Sequence, residues 1–290
     1  MLRAVFYMAV AAALFPFLNS SVKYLGQRYP MPEIFWVRYA GHVVYSLIVF
    51  LPRHGLALFA TRRPGMQVVR TGLLFGASAF YFLGLQTIDL STASAIAFVS
   101  PILVTALSMP MLGEKVGPRR WTAVVLGFAG ALIIIRPGAG VIHWGAILVL
   151  MDAFCYGIYQ VLSRKVGSHD PAEVSIVLSG IGGLFLASLL LVPFPDFRLP
   201  TNWIDIALFA TIGLLGLLGH YFVTKAYQWG TAAIVAPVGY VELVGSTALG
   251  WAIFSQLPDL WTWIGAAIIV ASGLYITYRE HRLQRSRRKS

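Results

Sequence analysis

Asp152 and Glu242 each lie near the middle of a long apolar run, where carboxylates are scarce. An ionisable group at the centre of a membrane helix costs about 2.5–3.5 kcal/mol on insertion scales, so it must face protein or water. Two uses fit such a group. It can serve a central cavity, meeting a substrate ammonium or exchanging a proton, or it can stand neutral and tie its helix to a neighbouring Tyr or Ser. His220 can titrate near neutral pH, although a lone His reads equally well as a packed, hydrogen-bonded residue. Lys225, shortly after it, has a stem long enough to carry its ammonium to the interface. Arg38, one turn into its own run, can reach the outer interface or pair with Glu33, which makes its reading structural.

Proline punctuates the same runs. It removes the donor for the carbonyl four residues back and bends the helix. Pro16, Pro101, Pro110 and Pro237 fall inside or near the ends of apolar runs, and Ser100-Pro101 and the stretch from Pro237 to Glu242 occupy corresponding places in the two halves of the chain. Freed carbonyls are tolerated at depth where they line a cavity. Aromatic residues also gather at mid-run, among them Tyr81, Phe82, Phe98, Tyr156, Tyr159 and Tyr240. They suit an apolar cavity with a few polar groups, and they suit plain packing too. Gly113-Glu-Lys-Val-Gly lacks the spacing and setting of a phosphate loop, and neither metal-ligand spacing nor a Ser-His-Asp order occurs in a credible context. The chain therefore reads as a non-enzyme without ATP hydrolysis, metal or cofactor.

Composition dictates what positions these residues. The 290 residues are 58% hydrophobic and 11% charged, with a mean hydropathy of +0.75, whereas about a quarter of a soluble domain is charged. Lipid offers the backbone no water, so a helix that satisfies its own hydrogen bonds is the default for each span. The fold class is all-α, a polytopic membrane protein. About 20 apolar residues cross the hydrocarbon, and ten runs qualify, at roughly 2–24, 34–51, 68–86, 92–112, 121–135, 144–162, 174–192, 203–226, 232–254 and 261–278. The net charge of +11 would suit nucleic acid only if Lys and Arg gathered on one solvated face. Instead they sit between apolar runs, mostly in alternate connections such as Arg62, Arg63 and Arg70, Arg119 and Arg120, and Arg164 and Lys165. That asymmetry predicts both termini in the cytoplasm. Trp144, Trp203, Trp261 and Trp263 fall at outer ends as interfacial anchors. Gly72-xxx-Gly76 and Gly213, Gly216 and Gly219 are expected to let helices approach closely. The lone Cys155 lies within a span and has no disulfide partner.

The chain also repeats itself. Residues 81–138 return in degraded form at 221–279, with the Tyr-Phe opening, a Thr-Ala helix start, a long span, a polar hinge and a Gly-spaced last helix. Asn19 aligns with Gln160, Lys23 with Arg164 and Glu33 with Glu173. The expected division is a first repeat at 1–138, a second at 143–278 and a basic cytoplasmic tail at 279–290. Five helices is an odd number, so the second copy enters the membrane inverted. Inverted repeats place the substrate near the midplane, where the halves meet.

Two five-helix halves, Trp36-Val37-Arg38, Pro101, Leu112-Gly113-Glu114, and Gly127 with Gly130 together resemble the EamA-type transporters of the drug/metabolite transporter superfamily. Within it, the chain looks most like the bacterial aromatic amino acid exporters. The resemblance covers essentially the whole chain. One departure is Ser255-Gln256 where the first half has Gly113-Glu114, which assigns Glu114 a hinge role. The resemblance implies a secondary transporter that exports small amphipathic metabolites, aromatic or other amino acids first, across the inner membrane by alternating access. The alternatives are a drug or other metabolite exporter and a non-transporting scaffold. It implies that spans 1, 3, 4, 6, 8 and 9 surround the path, with Asn19, Tyr81, Ser100, Pro101, Asp152, Tyr156, Tyr159, His220, Tyr240 and Glu242 lining it. The implied partners are a small-molecule substrate and the lipid bilayer.

Overall fold

A computed structural model describes residues 2–112, 118–136, 144–193, 197–230, 235 and 238–287. Glu114 and its hinge, and Pro237, lie outside the described residues. Among those described there is no strand. Eight helices are long and apolar enough to cross a membrane, and two shorter apolar helices complete the ten spans.

The elements are α1 (Leu2–Gly26), α2 (Met31–His54), α3 (Pro64–Leu85), α4 (Leu90–Ala97), α5 (Ser100–Leu112), α6 (Pro118–Ile135), α7 (Trp144–Val166), α8 (Ala172–Leu191), α9 (Trp203–Trp229), α10 (Val241–Phe254) and α11 (Leu260–Arg287). Local chemistry sets several ends. A proline in the first turn opens both α2 and α3, where the missing N–H would have had no partner anyway. Asn202 caps α9 by accepting a hydrogen bond from the Asp205 backbone N–H at 2.8 Å, satisfying one of the orphan donors at a helix start. The basic tail continues α11 to Arg287 instead of leaving the helix near residue 278.

The fourth span is two helices, not one. Phe98 and Val99 form a turn between α4 and α5. Pro101 explains the break, because it offers no N–H to the Ala97 carbonyl and its ring crowds that carbonyl. At the break Val99 N–H turns to the carbonyl three residues back, Ile96 O at 3.0 Å, while Phe98 N–H keeps the ordinary four-residue bond to Ser94 O at 3.2 Å.

Packing obeys an exchange of halves. The helix of the third span, α3, packs along α7 of the sixth, and α1 of the first packs along α9 of the eighth. Likewise α2 meets both α8 and α9, and α3 also meets α8. α6 and α11, the last helix of each half, pack on one another, with Gly130 against Gly265. α2 and α9 cross backbone to backbone, since a Cβ on Gly213 would stand 2.7 Å from the Gly41 Cα. The Gly72-Gly76 pair does not serve this purpose, for a Cβ at either position would meet open space.

Two cations expected in connections are buried inside the bundle. Arg70, fully buried, donates to Ser163 Oγ at 2.7 Å, Ser179 Oγ at 3.0 Å, Gln67 Oε1 at 3.0 Å, the Ser175 carbonyl at 3.1 Å and Tyr159 Oη at 3.1 Å. Lys23 donates to the Ile88 carbonyl at 2.6 Å and lies over the Phe254 ring. Lys225 does not snorkel alone, because it pairs with Glu173 at 2.7 Å between α9 and α8.

Candidate functional site

One cavity runs through the middle of the bundle, with about 900 Å³ of space, part of it continuous with solvent. Each lining group has a local reason to face inward. α1, unbroken through Pro16, contributes Phe15 and Asn19. The α4–α5 break exposes Ala97, Phe98, Ser100 and Pro101. α3 supplies Ser78, Tyr81 and Phe82; α7 supplies Asp152, Tyr156 and Gln160; α9 supplies His220, Val223 and Tyr227; and Gly239 and Glu242 come from the ninth span. Among the described residues, none of α6 or α11 lines it.

Its polar groups form a connected ladder at one end. Asn19 Nδ2 donates to Tyr81 Oη at 3.3 Å and to Glu242 Oε1 at 3.4 Å. Tyr81 Oη exchanges a hydrogen bond with Ser94 Oγ at 3.3 Å, and Ser94 Oγ donates to Ser246 Oγ at 2.8 Å. Four spans, three from the first half of the chain and one from the second, are thereby joined by side chains. Lys23 also bonds the Ile88 carbonyl, and Arg28 and Tyr29 bond Asp205 at 3.2 Å and 2.8 Å, tying the ends of these spans together. On the opposite side Gln160 Nε2 donates to Ser100 Oγ at 3.3 Å.

A second, more polar cavity continues from that side. It shares Gln160, Val223 and Tyr227 with the first and is lined further by Arg70, Tyr159, Ser163, Thr224 and Gln228. These residues cluster where α3 begins and where α7 and α9 end. The central chamber thus meets the second cavity at Gln160, Val223 and Tyr227, on the side where α3 begins and α7 and α9 end.

Most of the residues singled out from the sequence meet here: Asn19, Tyr81, Ser100, Pro101, Asp152, Tyr156, His220 and Glu242. Two do not. Tyr159 lines only the second cavity, where its hydroxyl accepts from Arg70. Tyr240 lies against Phe98 with the rings tilted and 5.0 Å between centroids, and its hydroxyl abuts Gly273 of α11. Arg38 is the residue the sequence reading misplaced. It is buried, lines the central cavity and makes no pair with Glu33. Its Nη2 donates to His220 Nε2 at 3.4 Å, and its guanidinium lies over the Phe82 and Tyr39 rings. A guanidinium can only donate, so the His220 proton sits on Nδ1. An ionisable side chain inside a span was itself the available signal; its nearness to the helix start made the interface an equally good destination. Gln160 carried a signal as well, through its alignment with Asn19 across the repeat.

Ten apolar spans in two halves around a central chamber define a multi-pass membrane transporter. The EamA-like transporter family model matches the chain twice, over residues 2–136 and 143–278, and the chain belongs to that family. It is 32% identical over 288 residues to a riboflavin transporter of Rhizobium johnstonii, covering 96% of this chain and 92% of that one. It is 28% identical to an S-adenosylmethionine uptake transporter of Rickettsia felis over 92% of this chain and 90% of that one. A pseudopaline exporter of Pseudomonas aeruginosa is 27% identical over 94% and 95% of the two chains. A solved structure of a protein 21% identical in sequence shares the fold, with a TM-score of 0.68 over 97% of both chains. The relatives named by substrate move riboflavin, S-adenosylmethionine and pseudopaline, so the expected kinship to aromatic amino acid exporters is not what these comparisons support.

Proposed function

We propose that this protein carries a small metabolite built from a planar heterocycle and a polar tail across the bacterial inner membrane by alternating access, with the central cavity as its binding site. The observation that carries this reading is the make-up of the wall. Phe15, Tyr81, Phe82, Phe98, Tyr156 and Tyr227 supply flat apolar surface, while Asn19, Ser78, Ser100, Gln160, Asp152 and Glu242 supply hydrogen-bonding groups. A ring stacks on the former and a hydroxylated or charged tail bonds to the latter. The named relatives support the same class, since riboflavin and S-adenosylmethionine both join a flat nitrogen heterocycle to a flexible polar chain. Riboflavin is the first substrate to test.

A second reading, transport of an aromatic amino acid, is favoured by one observation. The cavity carries a guanidinium, Arg38, and two carboxyl groups, Asp152 and Glu242, which complement a zwitterion. In this proposal the repeats span 1–138 and 143–278, both termini are cytoplasmic, and the side of the chamber that meets the second cavity faces the cytoplasm. Counterflow in proteoliposomes loaded with unlabelled riboflavin, S-adenosylmethionine or phenylalanine separates the readings. Accumulation of labelled riboflavin is expected; accumulation of phenylalanine alone would replace the first reading with the second.

A further inference from the structure

We propose that Arg38 is the substrate anchor of the central cavity, donating to two adjacent acceptor atoms on the cargo. The proposal rests on the transport reading above but not on which heterocycle or amino acid is carried.

Arg38 is 2% exposed and lies within the membrane-spanning bundle. A buried guanidinium normally has its donors taken, as those of Arg70 are taken by five acceptors. Arg38 has only the 3.4 Å contact to His220, and its Nε and Nη1 have no partner among the described residues. No carboxylate pairs with it there either. Yet it is held in place. Phe82 and Tyr39 lie under the guanidinium at 5.2 and 4.8 Å, and Gly216 of α9 leaves room for it, since a Cβ there would stand 3.2 Å from Nε.

The contrast between these two arginines is the argument. A cation kept beside the cavity, held by rings and a glycine and left with buried, unpaired donors, has binding capacity that a ligand bringing acceptors would use once the guanidinium turns toward the chamber. The planar fork matches paired acceptors. A carboxylate offers such a pair, and so does a flavin ring edge, where a carbonyl oxygen stands next to a ring nitrogen. Asp152 and Glu242 remain for the donor groups of the same cargo.

The test uses the full-length protein in detergent with Arg38→Met and Arg38→Lys, measuring Kd for riboflavin and for phenylalanine and the Tm of the empty protein. An anchor predicts that Arg38→Met weakens binding about 10- to 100-fold while the empty protein melts no lower than the parent, because an unpaired buried charge has been removed. Unchanged affinity in Arg38→Met overturns the proposal. If that variant loses both affinity and Tm, Arg38→Lys decides: recovery of Tm without affinity supports the anchor, and recovery of both overturns it. A parent that binds phenylalanine but not riboflavin would remove the heterocycle reading and leave the anchor to be judged on phenylalanine. A parent that binds neither leaves the empty-protein Tm, and a fall in Arg38→Met then assigns the residue to structure and ends the proposal.

Discussion

Single residues in this molecule divide by whether their polar atoms are used up within the protein. Asp170, in the turn between α7 and α8, is fully used: it accepts from the Thr61 hydroxyl, from the Arg62 backbone N–H at 3.0 Å and from Gln67 Nε2 at 3.0 Å. Burial alone would raise its pKa, but these hydrogen bonds outweigh it and hold the carboxyl below the ordinary value. A depressed carboxylate contributes stability above its unfolded-state pKa of about 3.9 and loses it as pH falls through the lower folded-state value. Asp170→Ala strands three donors and is expected to destabilise by about 2 kcal/mol at pH 7, a gap in Tm to the parent that narrows as pH drops below about 4. Asp152 is the opposite case, with no hydrogen-bond partner among the described residues although it lines the cavity. Replacing Asp152 and Glu242 together by Asn and Gln is expected to cut counterflow and to remove any response to a pH gradient. Flux equal to the parent, with and without the gradient, would return both carboxyls to a structural role. The sequence singles out these carboxyls because charge inside a span is rare. It does not resolve Tyr159 from Tyr156, since helices apolar on every face hide which side turns inward, and only the neighbouring Arg70 places Tyr159 in the second cavity.

At the scale of elements, backbones meet where glycines allow it. A Cβ on Gly213 would stand 2.7 Å and 2.8 Å from the Gly41 Cα and carbonyl carbon, and 2.9 Å from the His42 nitrogen. All three are main-chain atoms, so no side chain can swing away, and Gly213→Ala must push α2 and α9 apart. The expected loss is about 1–3 kcal/mol, read as a lower Tm than the parent. Gly72→Ala, facing open space, serves as the control and should change Tm little. Sequence spacing marks both sites as small-residue helix faces, and only the crossing partner distinguishes them. Pro101 is more legible. A proline in mid-span announces a broken ladder, and the turn at Phe98 and Val99 lies where the missing donor requires it.

The whole molecule is the most legible level, because hydrocarbon permits so few backbone solutions and because a duplicated pattern predicts its own pairing of helices. The placement proposed for it in the membrane rests on the asymmetry of Lys and Arg, and is tested by labelling intact cells with an impermeant thiol reagent in a Cys155→Ser background. Thr201→Cys, between α8 and α9, is expected to react, and Arg282→Cys in the tail only after the membrane is opened; the reverse pattern would invert the topology. The crossing of α2 and α9 at Gly41 and Gly213 carries a mechanical consequence. At 1.5 Å per residue, about 12 Å of helix separates Gly213 from Asp205, where Arg28 and Tyr29 bond, and about 16 Å separates it from Thr224 at the second cavity. A smooth contact between two bare backbones, with lever arms of similar length on either side, is a fulcrum. A tilt of about 15° about that point, the size of a known subunit rotation, displaces Thr224 by about 4 Å and moves Asp205 by a comparable distance in the opposite sense.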